Sequence, residues 1–161
     1  IRPKDGLFLR AESLYNSANY IERLDEIPCA APFVSSSYGG SLHKESHGES
    51  FLAIVKNRFF GRGLYILDEP EAALSPLRLL TLMRFIGDLA EKDSQFIIAT
   101  HSPILMAMPN SEILLFSDGG IRPIPYKQTE HYQITKRFLD DPEKNLAMIF
   151  SDKYEEDSEE N

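Results

Sequence analysis

The chain has 161 residues, of which 42% are apolar and 26% charged, a composition typical of a globular domain with a real core. No apolar run approaches the ~20 residues of a membrane helix, and the opening residues do not resemble a secretory signal. A single cysteine, Cys29, excludes an internal disulfide and fits a reducing cytoplasm. The net charge is −8, without a basic field that would indicate tight nucleic-acid binding.

Charge also suggests where the domain ends. Residues 151–161 contain six carboxylates and one lysine, which is typical of a solvated, disordered end. We therefore expect 1–150 to form the folded domain and 151–161 to form an acidic tail. The expected location is cytoplasmic, without membrane contact.

The first third of the chain predicts two helices. Ala11 to Glu26 has helical apolar periodicity, and Pro28 to Gly40 is rich in loop-forming residues. Ser46 fits the N-cap of a second helix with Glu49 three residues later, and the apolar pattern continues from Phe51 to Phe60. The same turn of small residues would also expose free N–H groups to an anion, so a plain cap and an anion site both remain open.

The centre of the chain predicts a strand, a helix and a second strand. Leu64 to Leu67 is a short apolar run, and Ser75 then starts a helix that continues to about Lys92. Phe96 to Thr100 forms the second buried run, directly before His101, and Ser102-Pro103 then fits a further helix start. Alternating helices and buried strands predict an α/β fold with a parallel sheet, whose ligands bind beyond the carboxyl ends of its strands.

The last part of the chain predicts a hairpin and two closing helices. Glu112 to Phe116 and Ile121 to Ile124 flank Asp118-Gly119-Gly120, a turn that suits antiparallel strands. Thr129 to Leu139 and Pro142 to Phe150 have helical patterns.

Ionisable residues follow both central strands. Asp68 can hold Mg²⁺ through its water shell, and Glu69 can orient or deprotonate an attacking water. His101 can reach a γ-phosphate or that water. Each feature alone also fits a solvated turn or a capping histidine. Their shared position at strand ends favours one joint site.

Four segments, taken in order, resemble the signature motif, Walker B, D-loop and H-loop of ABC-type ATPases. The likeness is closest to the soluble branch, which includes the RecF and SMC type and the small stand-alone bacterial "AAA family" predicted ATPases. The segments 8–13 and 131–135 also resemble that last group. The four motif segments are Ser46-His47-Gly48-Glu49, Leu64 to Pro70, Ala72 to Ser75 and Ile97 to His101.

The resemblance implies a P-loop NTPase-like three-layer sandwich with a mostly parallel sheet. It implies that Asp68 holds Mg²⁺, that Glu69 is the catalytic base and that His101 contacts the γ-phosphate of ATP. It also implies a homodimer that sandwiches the nucleotide, with DNA or a defence or repair partner as the target. The residues expected at ATP bound to the opposite subunit are Ser46, Gly48 and Glu49, with Ser75 in the D-loop along the dimer interface.

The sequence departs from the family pattern in several places. His47 replaces a signature glycine, Glu45 stands where leucine is common, and Ser75 replaces the usual aspartate. None of the nine glycines is followed by lysine, so the 161 residues contain no Walker A motif, and no glutamine loop is identifiable. In the resembled family the P-loop strand lies beside the strand that ends at the histidine. Without that P-loop strand, a central strand of the sheet would have an unpaired hydrogen-bonding edge. We therefore expect this chain to need its N-terminal P-loop portion to fold stably.

Three functions compete at this point. The leading one is ATP hydrolysis in a nucleotide-sandwiched dimer. The alternative is a catalytically silent, nucleotide-gated interaction module that lends its signature motif to a partner. A metal-dependent hydrolase using Asp68, Glu69 and His101 is the third, but the four histidines have no zinc-type spacing.

Overall fold

The computed structural model describes residues 5–12 and 47–151, and the chain divides into two compact units, 1–108 and 109–161. Most of the helix predicted over 11–26, the loop predicted over 28–40 and Ser46 lie outside the described residues. So does the acidic tail beyond residue 151. Among the residues that are described, no helix is long and apolar enough to cross a membrane.

The first unit is built on a parallel sheet of three strands. These are β1 (Asp5–Arg10), β2 (Gly63–Asp68) and β3 (Gln95–Ala99), in the order β1-β2-β3. Both neighbouring pairs are parallel, with Asp5 opposite Gly63 and Leu64 opposite Gln95. The predicted α/β class with a parallel sheet is confirmed, and β1 is an additional strand that the sequence patterns did not predict.

Two helices accompany this sheet. Helix α1 (His47–Arg58) starts within the predicted signature segment. The backbone turns after this helix at Gly61 and Arg62, whose φ angles are 89° and 54°. Helix α2 (Pro76–Ala90) begins as predicted, because the Ser75 hydroxyl accepts the N–H of Arg78 at 3.4 Å. A short helix, α3 (Pro103–Met106), follows β3 and is capped in the same way by Ser102.

The core of this unit lies on one face of the sheet. Tyr65 and Leu67 of β2 are fully buried and belong to one apolar cluster with Phe51 and Val55 of α1 and Leu82 of α2. Burial of this kind contributes about 1.5–3 kcal/mol per large apolar side chain. It fixes α1 and α2 on this face of the sheet.

The opposite face carries a row of apolar side chains. Phe8, Ile66 and Ile97 are register partners on adjacent strands, and Phe8 and Ile97 are 61% and 51% exposed. Parallel sheets normally have both faces covered. Within the described residues, this unit covers one face only, and β3 has one strand neighbour.

Tyr65 connects the buried face to the first strand. Its hydroxyl donates to Asp5 Oδ2 at 2.9 Å and accepts the N–H of Phe60 at 3.0 Å. Its ring stacks on Phe59 with centroids 4.1 Å apart. Burial raises the pKa of the Tyr65 hydroxyl, because desolvation disfavours the phenolate.

The second unit contains a hairpin and two helices, as the sequence predicts. Strands β4 (Leu114–Ser117) and β5 (Gly120–Pro123) pair antiparallel across the predicted glycine turn. A 3-10 turn over Tyr126–Gln128 leads to α4 (Glu130–Asp140) and α5 (Pro142–Phe150). Thr129 and Asp141 cap these helices, which explains why the boundaries lie within a residue or two of the prediction.

Candidate active site

The predicted Walker B carboxylates lie at the carboxyl end of β2. Asp68 is the last residue of the strand, and Glu69 follows it with φ 48° and ψ 51°, the left-handed conformation. This conformation costs a residue with a Cβ roughly 1–2 kcal/mol. The Glu69 N–H donates to the carbonyl of Ala99 at 3.0 Å, which ties the turn to the end of β3. Strained backbone of this kind is concentrated at functional sites.

Glu69 and His101 are brought together across the ends of two strands. His101 Nε2 lies 3.4 Å from Glu69 Oε1, and the two side chains are 72% and 39% exposed. The contact is an ion pair when the imidazole is protonated. Both groups therefore face a space that solvent, and hence a water nucleophile or a phosphate, can reach.

Asp68 has a cationic neighbour that the sequence patterns did not reveal. Arg10 is its register partner on β1, and Arg10 Nε lies 3.2 Å from Asp68 Oδ2. Arg10 also pairs with Glu12 at 3.1 Å. The Asp68 side chain is 31% exposed, so its carboxylate is balanced by the guanidinium but remains accessible.

Glu71 is a second residue that sequence reasoning missed. It belongs to a 3-10 turn, Pro70–Ala73, that follows Glu69. Its Oε1 accepts hydrogen bonds from Thr100 Oγ1, His101 N and Ser102 N at 2.7, 2.6 and 3.1 Å. No local pattern could have indicated these bonds, because donors and acceptor are about thirty residues apart in sequence.

The signature segment contacts the region after the 3-10 turn. A Cβ on Gly48 would lie 2.9 Å from the carbonyl oxygen of Ala73 and 2.8 Å from Arg78 Nη1. Glu49 Oε1 lies 2.8 Å from Arg78 Nη2. The structure therefore places Gly48 and Glu49 against the predicted D-loop segment and the start of α2.

The other predicted site residues are placed less completely. Ser75 caps α2 through its side chain, a structural role that the sequence also predicts. His47 is the first residue of α1, and Ser46 lies outside the described residues.

The residues present fit a magnesium ion that arrives with a nucleotide. Within residues 5–12 and 47–151, no three His, Cys, Asp or Glu side chains converge as ligands of one metal. Mg²⁺ typically uses one or two carboxylates and completes its shell with water and substrate phosphates. The accessible carboxylate of Asp68 suits that mode, whereas a zinc site needs a cluster of three or four protein ligands.

One known family matches the part of the chain that contains the predicted motif segments. Residues 41–107 match the family described as "AAA domain, putative AbiEii toxin, Type IV TA system". The matched range contains all four predicted motif segments, and the predicted resemblance to the small bacterial "AAA family" ATPases is confirmed for this part of the chain.

Structural comparison gives a partial match. The "SMC head domain from Thermotoga maritima" aligns with a TM-score of 0.44 and 19% sequence identity, covering 73% of this chain and 52% of that chain. The chain thus spans about half the length of that domain. No curated protein sequence matches the chain.

Proposed function

We propose that the protein hydrolyses ATP as an ABC-type ATPase head, in which water attacks the γ-phosphate and Glu69 is the catalytic base. The observation that carries the proposal is the 3.4 Å contact between Glu69 and His101 at the carboxyl ends of β2 and β3. Ligands of parallel α/β sheets bind at that edge. The family match over residues 41–107 supports the same class of reaction.

The residues divide the chemistry among them. The accessible carboxylate of Glu69 accepts a proton from the attacking water, which is the usual contribution of a positioned general base. His101 orients that water or donates to a γ-phosphate oxygen. Asp68 would hold Mg²⁺, and the bound ion would supply positive charge that neutralises the charge developing on the phosphates. Arg10 contacts Asp68 Oδ2 at 3.2 Å, so the Asp68 carboxylate would be shared between the guanidinium and the magnesium site.

The proposal includes a dimer that sandwiches the nucleotide. Ser46, Gly48 and Glu49 contact ATP held by the opposite subunit, and Ser75 lies along the interface. The P-loop comes from a portion of the protein N-terminal to this chain. The family description names a toxin of a type IV toxin–antitoxin system, which supports a defence role, with DNA or a defence or repair partner as the target.

The alternative is a nucleotide-gated interaction module without turnover. In this function the signature motif would be lent to a partner that holds the nucleotide. The Asp68–Arg10 ion pair is compatible with it as well, because it balances the carboxylate without a metal. The two functions differ in one measurable property, which is turnover.

The test is Mg²⁺-dependent ATP hydrolysis by the full-length protein that contains this chain. Glu69→Gln keeps the size of the side chain and removes its basicity, so we expect kcat to fall about 10²–10⁴-fold while ATP binding persists. Glu91→Gln, an exposed carboxylate just after α2, is the matched control and should retain wild-type kcat. Equal turnover of the Glu69→Gln variant and the wild type would refute the proposal. ATP binding without turnover in any version would favour the interaction module.

A further inference from the structure

Glu71 makes the densest set of hydrogen bonds described near the candidate active site. One carboxylate oxygen, Oε1, accepts from the side chain of Thr100 and from the backbone N–H groups of His101 and Ser102. Hydrogen bonds to an ionised carboxylate are shorter and about twice as strong as neutral ones. The segment they hold is the predicted H-loop, between the end of β3 and the start of α3.

The other oxygen of Glu71 shows that this arrangement is costly. Oε2 is buried and has no hydrogen-bond partner in the structure. A buried polar atom left unsatisfied is destabilising, so a carboxylate is a poor choice for stability alone. The three hydrogen bonds to Oε1 are therefore made at the cost of an unsatisfied Oε2.

The same turn carries the proposed base. Glu69 and Glu71 are separated only by Pro70, which is buried and whose ring fixes its φ. The hydrogen bonds from residues 100–102 to Glu71 therefore set the spacing between the turn that contains Glu69 and the loop that contains His101.

His101 depends on its backbone for its position. Its side chain is 72% exposed, so packing restrains the imidazole weakly. Its N–H donates to Glu71 at 2.6 Å, the shortest of the three bonds to that oxygen. A shift of this loop would move Nε2 relative to Glu69 Oε1.

We propose that Glu71 is a positioning residue that clamps the H-loop backbone and thereby holds His101 in reach of Glu69 and the γ-phosphate. The proposal rests on the proposed ATPase function. Glu71 does not touch the reacting atoms, so its effect on turnover passes through His101. Displacements of about 1 Å in an active site can lower a rate by ~10²-fold, which sets the scale of the expected effect.

The experiment is a double-mutant cycle on ATP hydrolysis by the full-length protein. Glu71→Ala should lower kcat about 10- to 100-fold and change KM less than about threefold, because the clamp is lost and nucleotide contacts remain. Glu71→Gln should restore most of kcat, since its amide oxygen can still accept. In a His101→Ala background, adding Glu71→Ala should change kcat by less than about threefold, because residues that act as a unit are not additive.

Thr100→Val covers the case in which Glu71→Ala fails to fold. It removes one of the three donors and keeps the residue's shape, so a smaller fall in kcat is expected, which should vanish in the His101→Ala background. Additive losses of kcat in either double variant, or a Glu71→Gln variant as slow as Glu71→Ala, would refute the positioning role of Glu71. Two readouts separate the proposals. No ATP turnover by the wild type refutes the ATPase function, and wild-type turnover by Glu69→Gln refutes Glu69 as the base. Lost turnover in Glu69→Gln together with an additive cycle refutes only the role of Glu71.

Discussion

Replacing Gly48 with alanine tests why the signature segment has a glycine at this position. Gly48 is the second residue of α1, where alanine would normally be preferred by up to about 1 kcal/mol. A Cβ there would lie 2.9 Å from the carbonyl oxygen of Ala73 and 3.0 Å or less from two atoms of Arg78. The carbonyl belongs to the backbone and cannot rotate away, so the helix or the turn has to shift.

The magnitude follows from two opposing effects. Forcing an extra carbon into a close-packed contact typically costs about 1–3 kcal/mol. Moving Arg78 aside would also disturb its ion pair with Glu49, but the two side chains are 33% and 51% exposed, so solvent screens the pair and it contributes little. Gly48 lies in the first turn, where the gain in helix propensity is small. We therefore expect Gly48→Ala to lower the free energy of unfolding by about 1–2 kcal/mol.

The assay is urea unfolding of the full-length protein without nucleotide, beside Gly87→Ala as matched control. Gly87 also lies in a helix, but its Cβ would meet only Met108 Cε at 3.6 Å, an ordinary contact. Gly87→Ala should therefore raise stability by about 0.5–1 kcal/mol. A Gly48→Ala variant as stable as the wild type would show that the close approach to Ala73 does not constrain this position and would refute the reasoning.

Substitutions at two further positions test the backbone strain at Glu69 and the buried hydrogen bonds of Tyr65. Glu69→Gly should unfold with a free energy about 1 kcal/mol higher than Glu69→Ala, because only glycine adopts φ 48° without strain; equal values in urea titrations would argue against strain. Tyr65→Phe should lower the free energy of unfolding by about 1–3 kcal/mol, because the N–H of Phe60 and the carboxylate of Asp5 each lose their hydrogen bond to the Tyr65 hydroxyl. Burial raises the pKa of the Tyr65 hydroxyl in the folded state. Its contribution to stability is therefore complete below about pH 10, the pKa of an unfolded tyrosine, and is lost as pH rises through the folded-state pKa. Between pH 8 and pH 11 the free energy of unfolding should therefore fall more in the wild type than in Tyr65→Phe, and a fall of the same size in both would contradict the prediction.

Local sequence signals predicted much of the fold. Strands β2 and β3 are short apolar runs, α2 starts at a Ser-Pro cap, and the hairpin surrounds a glycine turn. The joint site also followed from position, since Glu69 and His101 both come directly after a buried strand. Their contact in the structure confirms that the two strand ends lie at one edge.

Long-range contacts were the part that sequence could not supply. Strand β1 was not predicted, and it pairs with a segment more than fifty residues later. Arg10 was missed for the same reason, because only this register places it beside Asp68. The three donors to Glu71 come from another strand end, and Gly48 meets Ala73 through packing of separate elements. Periodicity and capping rules describe neighbours in sequence, so they carry no information on these pairs.

The segment from β2 to the H-loop, residues 63–102, is one continuous stretch that contains both partners of every contact joining Glu69, Glu71 and the H-loop. Contacts between residues close in sequence need less loop-closure entropy, so they can form early during folding. Pairing of β1, by contrast, closes a much longer loop. The geometry around the proposed base can therefore be established before Arg10 reaches Asp68, which would make the Arg10–Asp68 ion pair a late contact in a site that is already formed.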